Sequence, residues 1–196
     1  MIKKQRKTYW LNYFRPNVFI KSFTDLNIFL LKKTGVKMLI CDLDNTLSPH
    51  FTTFPTRKVI EFCHKVQMIG IKLAIVSNNS KKRVTKYVSR LTPDVVIANA
   101  HKPLKRKIMK MLDANNLKPS EVIMMGDQFI TDVWVANRIG CHSILVLPIV
   151  DPKGDASSNW FVRFLDSLIY QHLEHGNYLK LDYRREGVID NEYQII

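Results

Sequence analysis

Hydrophobic and polar positions alternate in blocks through the middle of the chain. Met38–Asp42 is a short apolar run that ends on a carboxylate, and Lys72–Val76, Asp94–Ile97, Val122–Met125 and Ser143–Leu147 repeat that form. Between these runs the apolar residues recur at helical spacing. Thr56 to Ile69 carries Val59, Ile60, Cys63 and Val66 on one face and stops at Gly70. Lys81 to Arg90, Leu104 to Asn115 and Ile130 to Ile139 read the same way, the last stopped by Gly140. Such periodicity predicts helices, while unbroken apolar runs of four or five residues predict strands buried on both faces. Regular strand–helix alternation predicts an α/β fold with five parallel strands covered by helices on each side. In such sheets ligands bind at the carboxyl ends of the strands, so the polar residues just after each strand are the candidates for chemistry.

The flanks differ from this middle. Residues 1–37 are basic and aromatic, with Tyr9, Trp10, Tyr13, Phe14, Phe19, Phe23 and Phe29. A short helix over Asp25–Lys33 is expected there, ending near Gly35. Residues 38–173 hold the alternating pattern and close with an amphipathic stretch at 158–173 (Trp160, Phe161, Phe164, Leu165, Leu168, Ile169). Residues 174–196 form a polar, mostly acidic tail.

Composition narrows the class. With 196 residues, 46% of them hydrophobic, the chain can bury a core of its own. No apolar run approaches the roughly 18 residues of a membrane-spanning helix. Three widely spaced cysteines make neither a disulfide framework nor a zinc pattern, so a reducing, cytoplasmic compartment is expected. The formal charge of +13 is concentrated in residues 1–40 and 81–118. Basic blocks of this kind attract polyanions such as phosphorylated substrates, anionic lipid surfaces or nucleic acid, and equally describe a solvated surface.

Four strand ends carry the polar groups: Asp42-Leu43-Asp44-Asn45-Thr46, then Ser77-Asn78-Asn79, then His101-Lys102-Pro103, then Gly126-Asp127 with Thr131-Asp132. Four carboxylates, a hydroxyl and a lysine converge on one rim of the sheet. That gathering of charge is costly unless a metal ion and a phosphate balance it. Each residue also has a plainer use. Asp42 and Asp44 are good turn formers, Ser77 and Asp127 are good N-caps, Asp132 suits a first helical turn, and Lys102 belongs to a basic block. Thr46 reads as a hydroxyl that ties down the first loop.

Taken together, DLDNT, IVSNN, HKP and GDQ-x-x-TD resemble the motifs of haloacid-dehalogenase (HAD) superfamily phosphatases. More narrowly, they resemble subfamily IIIA members of the YqeG type, related to mitochondrial-type phosphatidylglycerophosphatases. The resemblance covers about residues 12–165. It implies a three-layer, Rossmann-like HAD fold. Asp42 is implied as the nucleophile that forms an aspartyl-phosphate, and Asp44 as general acid and then base. Mg²⁺ is implied on Asp42, Asp127 and the Asp44 carbonyl. Ser77, Asn78 and Lys102 are implied to hold the phosphoryl group, with Thr46 and Asp132 in support.

Ser48 to Pro55 leaves eight residues before the next helix, and four residues separate Ile97 from Lys102. Neither gap holds a cap domain, so the site is expected to be open. An open site suits phosphate presented on a larger object. The resemblance supplies phosphatidylglycerophosphate as the substrate, with peripheral contact to the inner face of an anionic membrane through the basic aromatic N-terminus. A soluble or macromolecular monophosphate is the alternative. A non-catalytic nucleic-acid-associated protein is a third reading, but no helix-turn-helix, zinc or RNA-binding signature accompanies it.

Overall fold

Four consecutive fully buried side chains, Met38–Cys41, form β2 at the centre of the sheet. This computed structural model describes residues 13–149, 160–176 and 179. The elements run β1 (Val18–Ile20), α1 (Ile28–Lys33), β2 (Met38–Cys41), α2 (Arg57–Met68), β3 (Lys72–Val76), α3 (Lys81–Val88) and β4 (Val95–Ile97). They continue with α4 (Arg106–Ala114), β5 (Val122–Gly126), a π-turn (Phe129–Val133), α5 (Trp134–Ile139), β6 (His142–Val146) and α6 (Trp160–His175). The sheet order is β1-β6-β5-β2-β3-β4, and every pairing is parallel.

The alternation along β2 shows why these strands carry no polar face. Leu39 and Cys41 point to one side, where they meet Val59, Phe62, Cys63 and Val66 of α2 and Leu31 of α1. Met38 and Ile40 point to the other, against Ile108, Met111 and Leu112 of α4 and Val135, Ala136 and Ile139 of α5. Both faces are covered, as a parallel sheet requires. The buried thiols Cys63 and Cys141 are each pushed up to about 12 by burial, which keeps them protonated core residues.

The sheet has six strands rather than the five expected. The additional strand, β1, is an edge strand paired with β6 through Val18 opposite Ile144. Residues 18–20 therefore belong to the sheet, and Phe19 and Phe23 are buried in it while Tyr13 and Phe29 are exposed. Tyr9, Trp10, the basic residues before them and the tail beyond residue 179 lie outside the described residues. Among the described residues no helix is long and apolar enough to cross a membrane. Residues 42–56 and 98–105 run directly into α2 and α4, with no inserted domain. The chain leaves β2 for β3 on one side and returns to β5 on the other. The carboxyl end of β2 is thus the topological switch point where an open α/β sheet forms its crevice.

Candidate active site

The first site loop hooks back on itself. Asn45 adopts a left-handed conformation (φ 65°), its N–H donates to the Ser48 carbonyl at 2.7 Å, and the N–H groups of Leu47 and Ser48 both bond the Leu43 carbonyl. The hook leaves Asp42 at the strand tip, where its own N–H remains paired with the Met125 carbonyl at 2.9 Å. Thr46 turns inward and donates its hydroxyl to Asp127 Oδ1 at 2.9 Å. The hydroxyl expected to tie down the loop does so through a carboxylate of the cluster.

Lys102 comes in from the β4 side. Its Nζ sits 2.6 Å from Asp42 Oδ1 and 2.6 Å from Asp132 Oδ1, with about 1% of its side chain exposed. Asn78 fixes the backbone that carries it. The Asn78 amide donates to the Lys102 carbonyl at 3.0 Å, and its Oδ1 accepts from the Lys102 N–H at 2.6 Å. Asn78 was expected to serve through its backbone, and its side chain proves to be what anchors the lysine.

Asp132 reaches the cluster because the chain after β5 winds as a π-turn. The Val133 N–H bonds the Gln128 carbonyl five residues back at 3.2 Å, and the Gln128 N–H closes onto Asp132 Oδ2 at 3.1 Å. π-turns are rare and recur at functional sites. Asp42, Asp127 and Asp132 each present an oxygen within 4.8 Å of the others. Asp132, expected beside this group, stands in it. Gly126 makes the approach feasible, since a Cβ there would lie 2.1 Å from Asp132 Cγ. Gly126→Ala is therefore expected to drive Asp132 out of place. Thermal melting should show a loss of about 1–3 kcal/mol, the usual cost of overpacking. Phosphate release should fall at least about tenfold, equivalent to ~1.4 kcal/mol of barrier.

A second cluster surrounds Asp44. Arg83, one turn into α3, holds Asp44 Oδ1 through both Nε and Nη2, and its Nη1 donates to the Thr52 carbonyl at 2.9 Å. Asn79 Nδ2 donates to Asp44 Oδ2 at 3.2 Å, and the Ser77 hydroxyl lies 3.4 Å from the same oxygen. All the expected residues thus meet at one crevice in two adjoining groups, one centred on Lys102 and one on Arg83. Sequence reasoning left Asn79 and Gly126 unassigned, and it read Arg83 as bordering the substrate headgroup or lying on a solvated helix face, not as the partner of Asp44. For Arg83 the only sequence signal was its place in a basic block, which does not distinguish a buried fork from a solvated one.

Burial pushes the Asp42 carboxyl up to about 7, opposed by Lys102 and reinforced by Asp132. Burial likewise raises Asp127 well above the carboxylate range, with Asp42 and Asp132 adding to the effect. Burial works against the charge on Lys102, but Asp132 and Asp42 outweigh it and its pKa rises. Three desolvated carboxylates facing one ammonium are short of positive charge. Three carboxylate oxygens within 4.8 Å of one another are compatible with a hard divalent cation, which would supply that charge.

The sequence profile of the mitochondrial PGP phosphatase family matches residues 7–150, which include every residue of both clusters. The chain belongs to this family. A relative at 36% identity over 142 residues is the Bacillus subtilis (strain 168) protein named Probable phosphatase YqeG; the match covers 72% of this chain and 82% of that one. At 27% identity over 146 residues the chain matches phosphatidylglycerophosphate phosphatase 1, chloroplastic/mitochondrial, of Arabidopsis thaliana, covering 68% of this chain and 41% of that one. A haloacid dehalogenase-like hydrolase from Bacteroides fragilis shares the fold at 14% identity with a TM-score of 0.51, covering 60% of this chain and 91% of that one. As a PGP phosphatase family member the chain is a HAD-type phosphatase with a parallel α/β sheet.

Proposed function

We propose that this chain is a Mg²⁺-dependent phosphomonoester hydrolase that works through an aspartyl-phosphate on Asp42 and converts phosphatidylglycerophosphate to phosphatidylglycerol. The observation that carries the reaction is the shortage of positive charge at the crevice. Asp42, Asp127 and Asp132 face one cation, Lys102, so when all are ionised the formal charge of this group is −2. Asp42, Asp127 and the Asp44 carbonyl would hold a divalent cation, with Asp132 in support, and its charge would balance the group. When bound, Mg²⁺ neutralises charge on the phosphoryl oxygens and on Asp42.

The chain's own groups carry the remaining steps. Lys102 grips Asp42 Oδ1 and so fixes the carboxylate for in-line attack on phosphorus. An Asp42 oxygen bonds to phosphorus as the bond to the leaving oxygen breaks, and Asp44 donates the proton that the leaving alkoxide takes. Asp44, ionised by that transfer, then removes a proton from water. The water oxygen bonds to phosphorus, the Asp42–phosphorus bond breaks, and inorganic phosphate departs. Arg83 and Asn79 hold the Asp44 carboxylate through both oxygens, so its position does not depend on the substrate. Ser77, the Asn78 backbone and Lys102 stabilise the equatorial phosphoryl oxygens, the main source of acceleration in phosphoryl transfer.

Support for a lipid-borne substrate comes from the name of the Arabidopsis relative and from the capless crevice. The test is phosphate release from phosphatidylglycerophosphate in detergent micelles and from p-nitrophenyl phosphate, each with Mg²⁺ and with a chelator. Both activities should vanish with chelator, and the lipid should be the better substrate. Turnover that survives chelation would overturn the metal reading. Preference for the soluble ester would point to a soluble or macromolecular monophosphate instead.

A further inference from the structure

Four of the exposed apolar side chains lie at one pole of the molecule. Phe51, 70% exposed, follows β2; Leu104, 61% exposed, follows β4; Leu147 and Ile149 follow β6. Each sits in a loop leaving the carboxyl end of a strand, which is the end at which the crevice opens. These loops are tied together. The Ile149 N–H bonds the Asn45 carbonyl at 3.0 Å, and Arg83 reaches the carbonyl of Thr52, the residue after Phe51. Large exposed apolar groups gathered on one face, rather than scattered singly, mark an interaction surface.

Away from the carboxylates of the two clusters, the charge on these loops has one sign. Residues 48–56, 77–83, 98–107 and 147–149 contain no Asp or Glu. Arg83 and Lys102 are engaged by the carboxylates of the two clusters. Lys81, Lys82, Lys105, Arg106 and Lys107 are all exposed, with Lys105 and Lys107 each donating to a backbone carbonyl, of Arg138 and of Asn99. The apolar surface also continues inward. A cavity of about 310 Å³ lies between Phe129, Leu145, Leu147, Pro148 and Tyr170, and Asp127 forms part of its wall. Apolar rim, basic surround and open crevice thus share one face.

The geometry points to this face as the one that seats on an anionic bilayer, with Phe51 and Leu104 entering the interfacial layer and the five cations meeting lipid phosphates. The inference rests on the lipid-phosphate reading above and adds to it the surface by which the enzyme meets its substrate. A bilayer is favoured over nucleic acid because polyanion binding by charge alone leaves the apolar rim without a role. A phosphate carried on the membrane surface then reaches the crevice directly, since among the described residues neither loop 42–56 nor loop 98–105 inserts a domain in between.

The test is co-sedimentation of the full chain with vesicles of phosphatidylcholine alone and of equal parts phosphatidylcholine and phosphatidylglycerol. Wild type should bind the anionic vesicles and leave the zwitterionic ones. Phe51→Ser with Leu104→Ser should lower partitioning about tenfold, equivalent to ~1.4 kcal/mol, with the melting temperature kept as the check on folding. Met68→Ser is the control. Met68 is 85% exposed at the last position of α2, at the opposite pole. Its change should have no effect, and the ratio of lipid to soluble-ester turnover should fall only in the Phe51/Leu104 variant. Equal loss with Met68→Ser, wild-type binding by the double variant, or displacement by RNA that ignores Phe51 and Leu104 would each overturn the docking face. Partitioning is read without turnover. Vesicle binding without hydrolysis of phosphatidylglycerophosphate would sink the lipid-phosphate reading and leave the docking face, and hydrolysis of that lipid without vesicle binding would do the reverse.

Discussion

Asp42→Asn should abolish turnover and, in the metal-free protein, raise the melting temperature. The catalytic loss is expected to be ~10⁴-fold or more, about 5.5 kcal/mol of barrier, because an amide cannot act as the phosphoryl acceptor. The stability gain follows from the charge that folding forces on this position. Burial raises the Asp42 pKa from the ordinary 3.8 to about 7, so the folded chain holds the proton more tightly than the unfolded one. Between these two values the folded state binds more protons, and stability falls as pH rises. The full cost is present above about pH 7 and disappears below about pH 4. Burial shifts Asp127 in the same direction.

Asparagine keeps the shape of the side chain, stays neutral throughout and leaves the Lys102–Asp132 pair in place. Melting curves in chelator should therefore converge for wild type and variant in acid and separate as pH rises, with the variant higher. Added Mg²⁺ should stabilise wild type more than the variant, since it reverses the charge imbalance that the variant lacks. A variant that melts below wild type at pH 8 in chelator would mean that Lys102 outweighs burial at this site. The site thus holds charge at the expense of stability, a common cost of a preorganised reaction centre.

How far the sequence discloses this arrangement depends on whether the controlling interactions are local. The strands β2, β3, β5 and β6 and the helices between them are legible because burial on both sheet faces leaves unbroken apolar runs, and the half-exposed β4 is legible from its place in that alternation. The limits of α2, Arg57–Met68 against an expected Thr56–Ile69, differ only at frayed ends, whereas α1 starts at Ile28 and not at the expected Asp25, which lies in a separate 3-10 turn, Phe23–Asp25. β1 is not legible. It lies outside the strand–helix alternation and is specified by a distant partner, with Asn17 accepting from the Ser143 N–H at 2.8 Å across 126 positions.

The expected helix over Ile130–Ile139 conceals the π-turn for a similar reason. One extra residue per turn leaves the apolar pattern nearly intact, yet it carries Asp132 to within 2.6 Å of Lys102. The strand-tip carboxylates are legible as a set, because four polar motifs after four strands need a common explanation. The tethers that fix them, Asn78 on the Lys102 backbone and Arg83 on Asp44, are not. Each is a contact between separate loops, made by a residue type that is ordinary in its own local setting.

Lys102 links both consequences of that packing, and its removal should be the most damaging single change to stability. Lys102→Met leaves the Asp42 and Asp132 carboxylates buried, close and without their shared cation. Breaking a buried charged pair by removing one partner typically costs about 3–5 kcal/mol, and methionine fills the volume so that no large cavity adds to it. Turnover should fall by ~10³-fold or more, since the residue proposed to steady both Asp42 and the phosphoryl oxygens is gone.

A second variant separates the two roles. Lys102→Met combined with Asp132→Asn removes one of the stranded charges. Its amide oxygen can still accept from the Gln128 N–H, which bonds Asp132 Oδ2 at 3.1 Å in the native chain. The double variant should therefore recover part of the lost stability in urea or thermal melts, a positive coupling between two touching residues. It should recover none of the turnover, because neutralising Asp132 does nothing for the charge on a bound phosphate. Recovery of both together would assign Lys102 a purely structural part. Recovery of stability alone places the ammonium in the reaction itself, with Asp132 as the group that aims it.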